Sequence, residues 1–307
     1  MKLITYCLGF LLVGAGGLAE PFLSSSAVAA AKPLASVPFR FIRNEIIAAV
    51  RINGKGPFAV LLDTGTAPSV IDTSVAREIG LKLRSTTGDT SGGGTQTHET
   101  FTTELDEVRF GTYKVKNVVS LTTDLSGLTR ELGQPIAAVL GDSFFSNRVV
   151  QFDYREHVAS LFSTSPILKG QKTKKTFIVP FKHEDGEVHF AGLKINGESV
   201  QANLDTGSNG DFSLTPKAII RLGLAERAKT AQIRSGAGFN GKYKAREGTL
   251  DLVQLGDYQR RKAPVLYWAI GTGHDASDWD VNVGNAFLRD FLVTVDYRAN
   301  LLTLVRY

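Results

Sequence analysis

Cysteine is almost absent from this sequence: one residue in 307, Cys7, close to the start of the chain. That excludes a disulfide-stapled scaffold. With a leader removed, it also excludes a thiol nucleophile and cysteine metal ligands. Proline is scarce too, at ten residues, which argues against a proline-rich linker protein. The five histidines are scattered. His183 and His189 lack zinc-ligand spacing, and no Ser–His pair suited to nucleophilic catalysis can be identified. Beyond residue 19 no apolar run is long enough to span a bilayer. The net charge of +5 and pI of about 9.2 favour solubility and weak attraction to anionic surfaces. This balance does not establish nucleic-acid binding, which needs a clustered basic face, and no nucleic-acid partner is expected.

Apolar residues make up 43% of the chain, and its length allows two domains, each with a core. Glycine, at 31 residues, is above the usual share of roughly 7%. Many glycines with few prolines point to tight turns between short strands.

Lys2, the apolar run Leu3–Ala19 and the closing Ala27-Val28-Ala29 form the pattern of a secretory signal peptide over residues 1–29. Cleavage is expected after Ala29, with Ala31 as second choice. The other reading of the segment is an uncleaved membrane anchor, the one route by which a membrane would be a partner. Cys7 lies too early for a lipoprotein anchor. The expected location is secreted or periplasmic, and removing Lys2 and Glu20 leaves the charge at +5.

The rest of the chain repeats itself. Val37-Pro38-Phe39-Arg40 recurs as Val179-Pro180-Phe181-Lys182, and Arg51-Ile52-Asn53-Gly54 as Lys194-Ile195-Asn196-Gly197. Leu62-Asp63-Thr64-Gly65-Thr66 recurs as Leu204-Asp205-Thr206-Gly207-Ser208, and Ile79-Gly80-Leu81 as Leu222-Gly223-Leu224. Gly141, Phe144, Val150 and Asp153-Tyr154-Arg155 recur as Gly284, Phe287, Val293 and Asp296-Tyr297-Arg298. The offset holds at 142–143 residues through five ordered blocks, so the chain carries two copies of a domain-sized unit. A short segment over residues 30–36 precedes a first lobe at 37–165. A basic linker at 166–176 leads to a second lobe at 177–307.

Short β-rich runs such as Ile46–Ile52, Phe58–Leu62, Val118–Thr122, Val149–Phe152 and Ala159–Phe162 predict an all-β fold with a few short helices. One helix per lobe is expected. Thr73 would cap Ser74–Ile79 before Gly80, and Thr215 would cap a helix from Pro216 to before Gly223. The two lobes would be related by an approximate two-fold axis.

Each lobe carries one Asp-Thr-Gly after a strand-like run, at Asp63 and Asp205. A two-fold arrangement would bring the two turns face to face. Two carboxyls in one confined site cannot easily both ionise, so one holds a proton while the other stays charged.

With these two turns, and with Ala138-Val139-Leu140-Gly141 and Val281-Asn282-Val283-Gly284, the chain resembles the aspartic proteases in their bilobal pepsin-like form. The run Asp63-Thr64-Gly65-Thr66-Ala67-Pro68-Ser69-Val70-Ile71 looks closer to retroviral-type and bacterial relatives. The resemblance covers nearly the whole mature chain. It implies two β-barrel lobes with the active site between them, and an aspartic endopeptidase acting on extended polypeptides as a monomer, without metal or cofactor. Asp63 and Asp205 would activate a water. Thr64 and Thr206 would cross to the opposite turn, and Gly65 and Gly207 would bring backbone N–H groups to the carboxylates. Thr66 and Ser208 would each bond the neighbouring Asp. Gly141 and Gly284 lie 78 and 79 residues after the aspartates and would leave room for the catalytic loops. Asn282 departs from the apolar pattern of its segment. Flap candidates are Gly92, Gly93, Gly94 and Phe101 in the first lobe, and Gly236, Gly238 and Tyr243 in the second. The first-lobe candidate lacks the Tyr usual in pepsin-like flaps.

Gly236-Ala237-Gly238-Phe239-Asn240-Gly241 matches a dinucleotide fingerprint, but a strand-like run follows it where that motif needs a helix. Asp275, Asp278 and Asp280 lack the turn glycine of a Ca²⁺ loop and read as a surface loop. The competing function is a non-catalytic protein of the same fold that binds peptides or a cell-wall component. Residues 30–36 are too short to act as a cleft-filling propeptide.

Overall fold

The structure, a computed structural model, describes residues 31–85, 100–167, 175–238, 241–271, 275 and 277–307. The leader, the first-lobe flap candidates Gly92–Gly94 and most of the expected linker lie outside the described residues.

The first lobe contains β1 (Ala35–Ile42), β2 (Glu45–Ile52), β3 (Lys55–Leu62), β4 (Ser69–Asp72), β5 (Arg84–Ser85), β6 (Phe101–Phe110), β7 (Tyr113–Thr123), β8 (Ala138–Leu140), β9 (Val149–Asp153) and β10 (Val158–Phe162). The second contains β11 (Thr176–Glu184), β12 (Glu187–Ile195), β13 (Glu198–Leu204), β14 (Phe212–Leu214), β15 (Gln232–Gly238), β16 (Gly241–Leu255), β17 (Tyr258–Tyr267), β18 (Val281–Val283), β19 (Phe291–Asp296) and β20 (Leu301–Arg306).

Two-residue turns set the hairpins. Arg43–Asn44 and Asn53–Gly54 take positive φ at both positions, as do Asp185–Gly186 and Asn196–Gly197 at the matching places of the second copy. That geometry carries the right-handed twist the flanking strands require.

In the first lobe, β2, β3, β8, β4, β7 and β6 pair in that order, and β6 returns to β2, closing a six-stranded barrel. In the second, β12, β13, β18, β14, β17 and β16 close the same ring. A third sheet joins the lobes in the order β1, β10, β9, β19, β20, β11. Its central pair, β9 with β19, brings together strands from the two copies and marks the approximate two-fold axis. One apolar core runs through both lobes, from Ile46, Val60 and Phe152 to Phe190, Leu204 and Phe291.

The helices are more numerous than one per lobe. The first lobe has α1 (Thr73–Glu78), α2 (Ser126–Leu132) and α3 (Asp142–Phe145); the second has α4 (Pro216–Arg221), α5 (Ala225–Thr230) and α6 (Asn285–Leu288). Thr215 caps α4 as expected, accepting from the Ala218 N–H. The cap of α1 is Asp72 rather than Thr73. Its Oδ1 accepts from Ser74 and Val75 N–H, and its Oδ2 accepts from Leu125 N–H, so one carboxylate serves both the helix end and the approach to α2. Among the described residues no helix is long and apolar enough to cross a membrane.

Candidate active site

Strands β3 and β13 end at the molecular centre, and Asp63 and Asp205 follow them directly. Each turn is held from its own lobe first. Asp63 N–H donates to Leu140 O of β8, and Asp205 N–H to Val283 O of β18, at 3.0 Å in both. Gly65 and Gly207 N–H each return to the preceding aspartate's Oδ1 at 2.8 Å. Neither glycine has room for a side chain: a Cβ on Gly65 would press against Asp205, and one on Gly207 against Asp63. The close approach of the turns therefore requires glycine at both places.

The threonines bind the lobes together. Thr64 Oγ1 donates to Leu204 O and accepts from Thr206 N–H. Thr206 Oγ1 donates to Leu62 O and accepts from Thr64 N–H. These four bonds span 2.9–3.1 Å, and both threonines are fully buried. Behind each turn a one-turn helix begins. Asp142 N–H of α3 donates to Thr66 O, and Asn285 N–H of α6 donates to Ser208 O, both at 2.8 Å. A Cβ on Gly141 would overlap the Thr66 carbonyl, and one on Gly284 would lie 2.5 Å from Gly210 O.

The two halves differ at the outer carboxyl oxygens. Thr66 Oγ1 meets Asp63 Oδ2 at 2.5 Å. Ser208 does not repeat this bond at Asp205 among the described residues. Asp205 Oδ2 instead accepts from Asn282 Nδ2 at 2.5 Å, and Asn282 Oδ1 accepts from Asn203 Nδ2 at 2.9 Å. The residue that broke the apolar pattern of its strand is thus the donor to the second aspartate. Its polarity was legible in the sequence; its target was not.

Asp63 is buried, at 4% exposure, while Asp205 stays partly open. Burial and the facing Asp205 charge push the Asp63 carboxyl well above the usual carboxylate range. Burial raises Asp205 as well, but hydrogen bonds from Asn282, Asp63 and Gly207 favour its charged form and oppose the rise. The pair thus shares one proton, with Asp63 its favoured holder and Asp205 the favoured anion.

Further bonds tie each lobe to the opposite turn. Tyr154 Oη donates to Asn285 Oδ1, and Asn285 Nδ2 donates to Thr206 O, each at 2.6 Å. His183 Nε2 meets Asp142 Oδ1 at 2.7 Å, and Asn44 Nδ2 donates to Asn209 O at 2.9 Å.

Of the flap candidates, Gly236, Gly238 and Tyr243 lie on the β15–β16 hairpin, where Gly236 pairs with Tyr243 and Gly238 with Gly241. The Tyr243 ring covers Gly236 and packs on Trp268 with ring centres 4.8 Å apart. β15 packs against α2 of the first lobe, so this hairpin bridges the two lobes. Its strand geometry also removes the dinucleotide reading of residues 236–241. Phe101 begins β6, where its N–H donates to Thr122 Oγ1 and its ring faces Arg77 of α1. The acidic segment near the cleft is less superficial than expected: Trp279 is buried with Nε1 donating to Glu187 Oε2, and Asp280 accepts from Gln201 N–H and Arg221. Among the described residues no three His, Cys, Asp or Glu side chains converge as a metal site requires.

A family model described as aspartyl protease matches residues 48–144 and 191–278, one stretch in each lobe and together more than half of the chain. A retropepsin-like aspartic protease from Rickettsia conorii, known from its crystal structure, is similar at 20% identity over 42% of this chain and 89% of its own, with a TM-score of 0.33. No curated protein matches the chain.

Proposed function

The chain belongs to the aspartyl protease family, and from that premise we propose that it is an exported endopeptidase in which Asp63 and Asp205 activate water against a peptide bond of an extended polypeptide. The observation that carries this reading is the meeting of two Asp-Thr-Gly turns across one pseudo-two-fold axis, each threonine bonded to the opposite turn and each glycine against the opposite carboxyl.

Asp205, the favoured anion, takes a proton from the water as its oxygen attacks the scissile carbonyl carbon. Asp63 gives its proton to the carbonyl oxygen as charge develops there. As the tetrahedral species collapses, a hydroxyl proton returns to Asp63 and re-forms the carbonyl, the C–N bond breaks, and the proton held by Asp205 passes to the leaving nitrogen. No bond to the enzyme forms. Four bonds made by the threonines across the lobes and four backbone anchors keep the two carboxyls fixed while the reaction proceeds.

Asp63→Asn and Asp205→Asn are each expected to lower kcat/KM by about 10³-fold or more, with thermal unfolding and circular dichroism unchanged or improved. Undiminished cleavage by both single variants would overturn the reading, and peptide binding without any cleavage by the native chain would favour the non-catalytic alternative. Export follows from residues 1–29 alone. N-terminal sequencing of protein recovered from outside the cytoplasm should begin at Ala30 or Lys32; an intact Met1 would assign the segment as an anchor.

A further inference from the structure

Glu45 opens β2 immediately after the Arg43–Asn44 turn and is 5% exposed. Its Oε2 is sealed from solvent and has no hydrogen-bond partner. The charged groups that act on it are all acidic: Asp63 and Asp205 of the dyad and Glu131 of α2. Its charge in turn acts on Tyr154 and Tyr243. A buried carboxyl without donors or a counter-charge is costly, and here it stands beside the reacting groups.

The second copy of the repeat serves as an internal control. Glu187 occupies the same place there, 142 residues on, as the first residue of β12. Its Oε2 accepts from Trp279 Nε1 at 3.0 Å and meets His189 Nε2 at 2.8 Å. At the matching first-lobe positions stand Ile136 and Ile47, both buried in the apolar cluster beneath α2. The first lobe therefore has the acid without either of its donors. Glu45 and Glu187 thus add acidic charge beside the dyad, and Glu131 adds it beside Glu45, in a chain whose net charge is +5.

We propose that Glu45 is a specificity-determining residue that accepts a cationic group of the substrate, a lysine or arginine side chain or a free N-terminal ammonium, on the first-lobe side of the dyad. This rests on the peptidase reading above. An ammonium or guanidinium supplies both things this carboxyl lacks, N–H donors and positive charge. Burial and the three neighbouring acids hold the Glu45 carboxyl well above its usual range, so it is neutral in acid and charges as pH rises. The preference for a cation should therefore strengthen from acidic towards neutral pH. The dyad itself changes charge over the same range, so the readout is a ratio of two peptides on one protein.

Matched peptides carrying Lys, Arg, norleucine or Gln, scanned through four positions on each side of the scissile bond, would be digested by the full chain and by Glu45→Gln. Each peptide is used with a free and with an acetylated N-terminus. At one position the native chain should favour Lys or Arg over norleucine by about tenfold or more in kcat/KM, and Glu45→Gln should lose most of that ratio. Loss of the preference on acetylation alone would assign the ammonium rather than a side chain. Glu45→Met is the second variant, suited to the apolar surroundings should the Gln amide strand its own donors.

Binding of the same labelled peptides to Asp63→Asn protein, with and without Glu45→Gln, reads the preference without turnover. A preference abolished by Glu45→Gln, in a native chain that cleaves nothing, would sink the peptidase reading and keep the cation site. Cleavage of Lys and norleucine peptides at equal rates, or an equal preference in native and variant proteins, would overturn the cation site and leave the peptidase standing.

Discussion

An amide nitrogen can only donate, and Asn203 Nδ2 already occupies Asn282 Oδ1, so the group that Asn282 turns to Asp205 must be its N–H. That bond favours an ionised Asp205. The first lobe has Leu61 and Val139 where the second has Asn203 and Asn282, and its Thr66 hydroxyl can either give or accept at Asp63. These differences break the symmetry of a dyad that the repeat would otherwise make equivalent. Asn203→Leu combined with Asn282→Val copies the first-lobe pair and leaves no stranded amide. A hydrogen bond to a charged group contributes about 1.5–3 kcal/mol, so its loss should raise the lower apparent pKa of the pair by roughly one to two units. The acid limb of the kcat/KM profile would move to higher pH, with activity in acid falling about tenfold or more. An acid limb that stays in place would assign the anion to Asp63.

Gly141 and Gly284 show how strands and one-turn helices shape the catalytic loops. Each ends a central strand, β8 or β18, and begins a helix whose first N–H anchors a loop carbonyl. The loop passes where a side chain would stand, which is why a small residue there is a condition of the site. Gly141→Ala sets a methyl against the Thr66 backbone and should cost about 1–3 kcal/mol in thermal or denaturant unfolding. It should also displace Thr66 from Asp63 and lower kcat. Unchanged stability would mean that the loop is free to withdraw.

These junctions were legible in advance because the repeat set Gly141 and Gly284 at one distance from their aspartates. The Asp72 cap was not: Thr73 and Asp72 are both good caps, and the Leu125 amide, distant in sequence between β7 and α2, holds the second oxygen of Asp72. Glu45 was not legible either. A polar residue at the head of a strand reads as solvated, yet Glu45 is buried within reach of the dyad charges. Sequence spacing reports periodicity within an element; it carries no record of which edge will close over it.

The sheet joining the lobes shows the same limit at molecular scale, yet its register contains the repeat. β9 pairs with β19 as Phe152↔Val293, Gln151↔Thr294 and Val150↔Val295. Subtracting the offset of 143 from the second-lobe numbers turns these pairs into 152↔150, 151↔151 and 150↔152. That is the register of β9 paired with another copy of itself about a two-fold axis through Gln151. A chain of residues 31–167 would retain its six-stranded barrel but expose the β9 edge, with Val150 and Phe152 of the core beside it. An unpaired strand edge of this kind seeks a partner. The first lobe expressed alone should therefore form a symmetric dimer through β9, seen as twice the chain mass by light scattering. Gln151 would face its own copy at the centre of that pairing, so Gln151→Glu sets like charges directly opposite each other and should weaken the dimer while leaving the barrel strands, which do not include β9, hydrogen-bonded. A stable folded monomer of the isolated lobe would show that the barrel alone suffices, and that β9–β19 pairing orients the lobes without holding them folded.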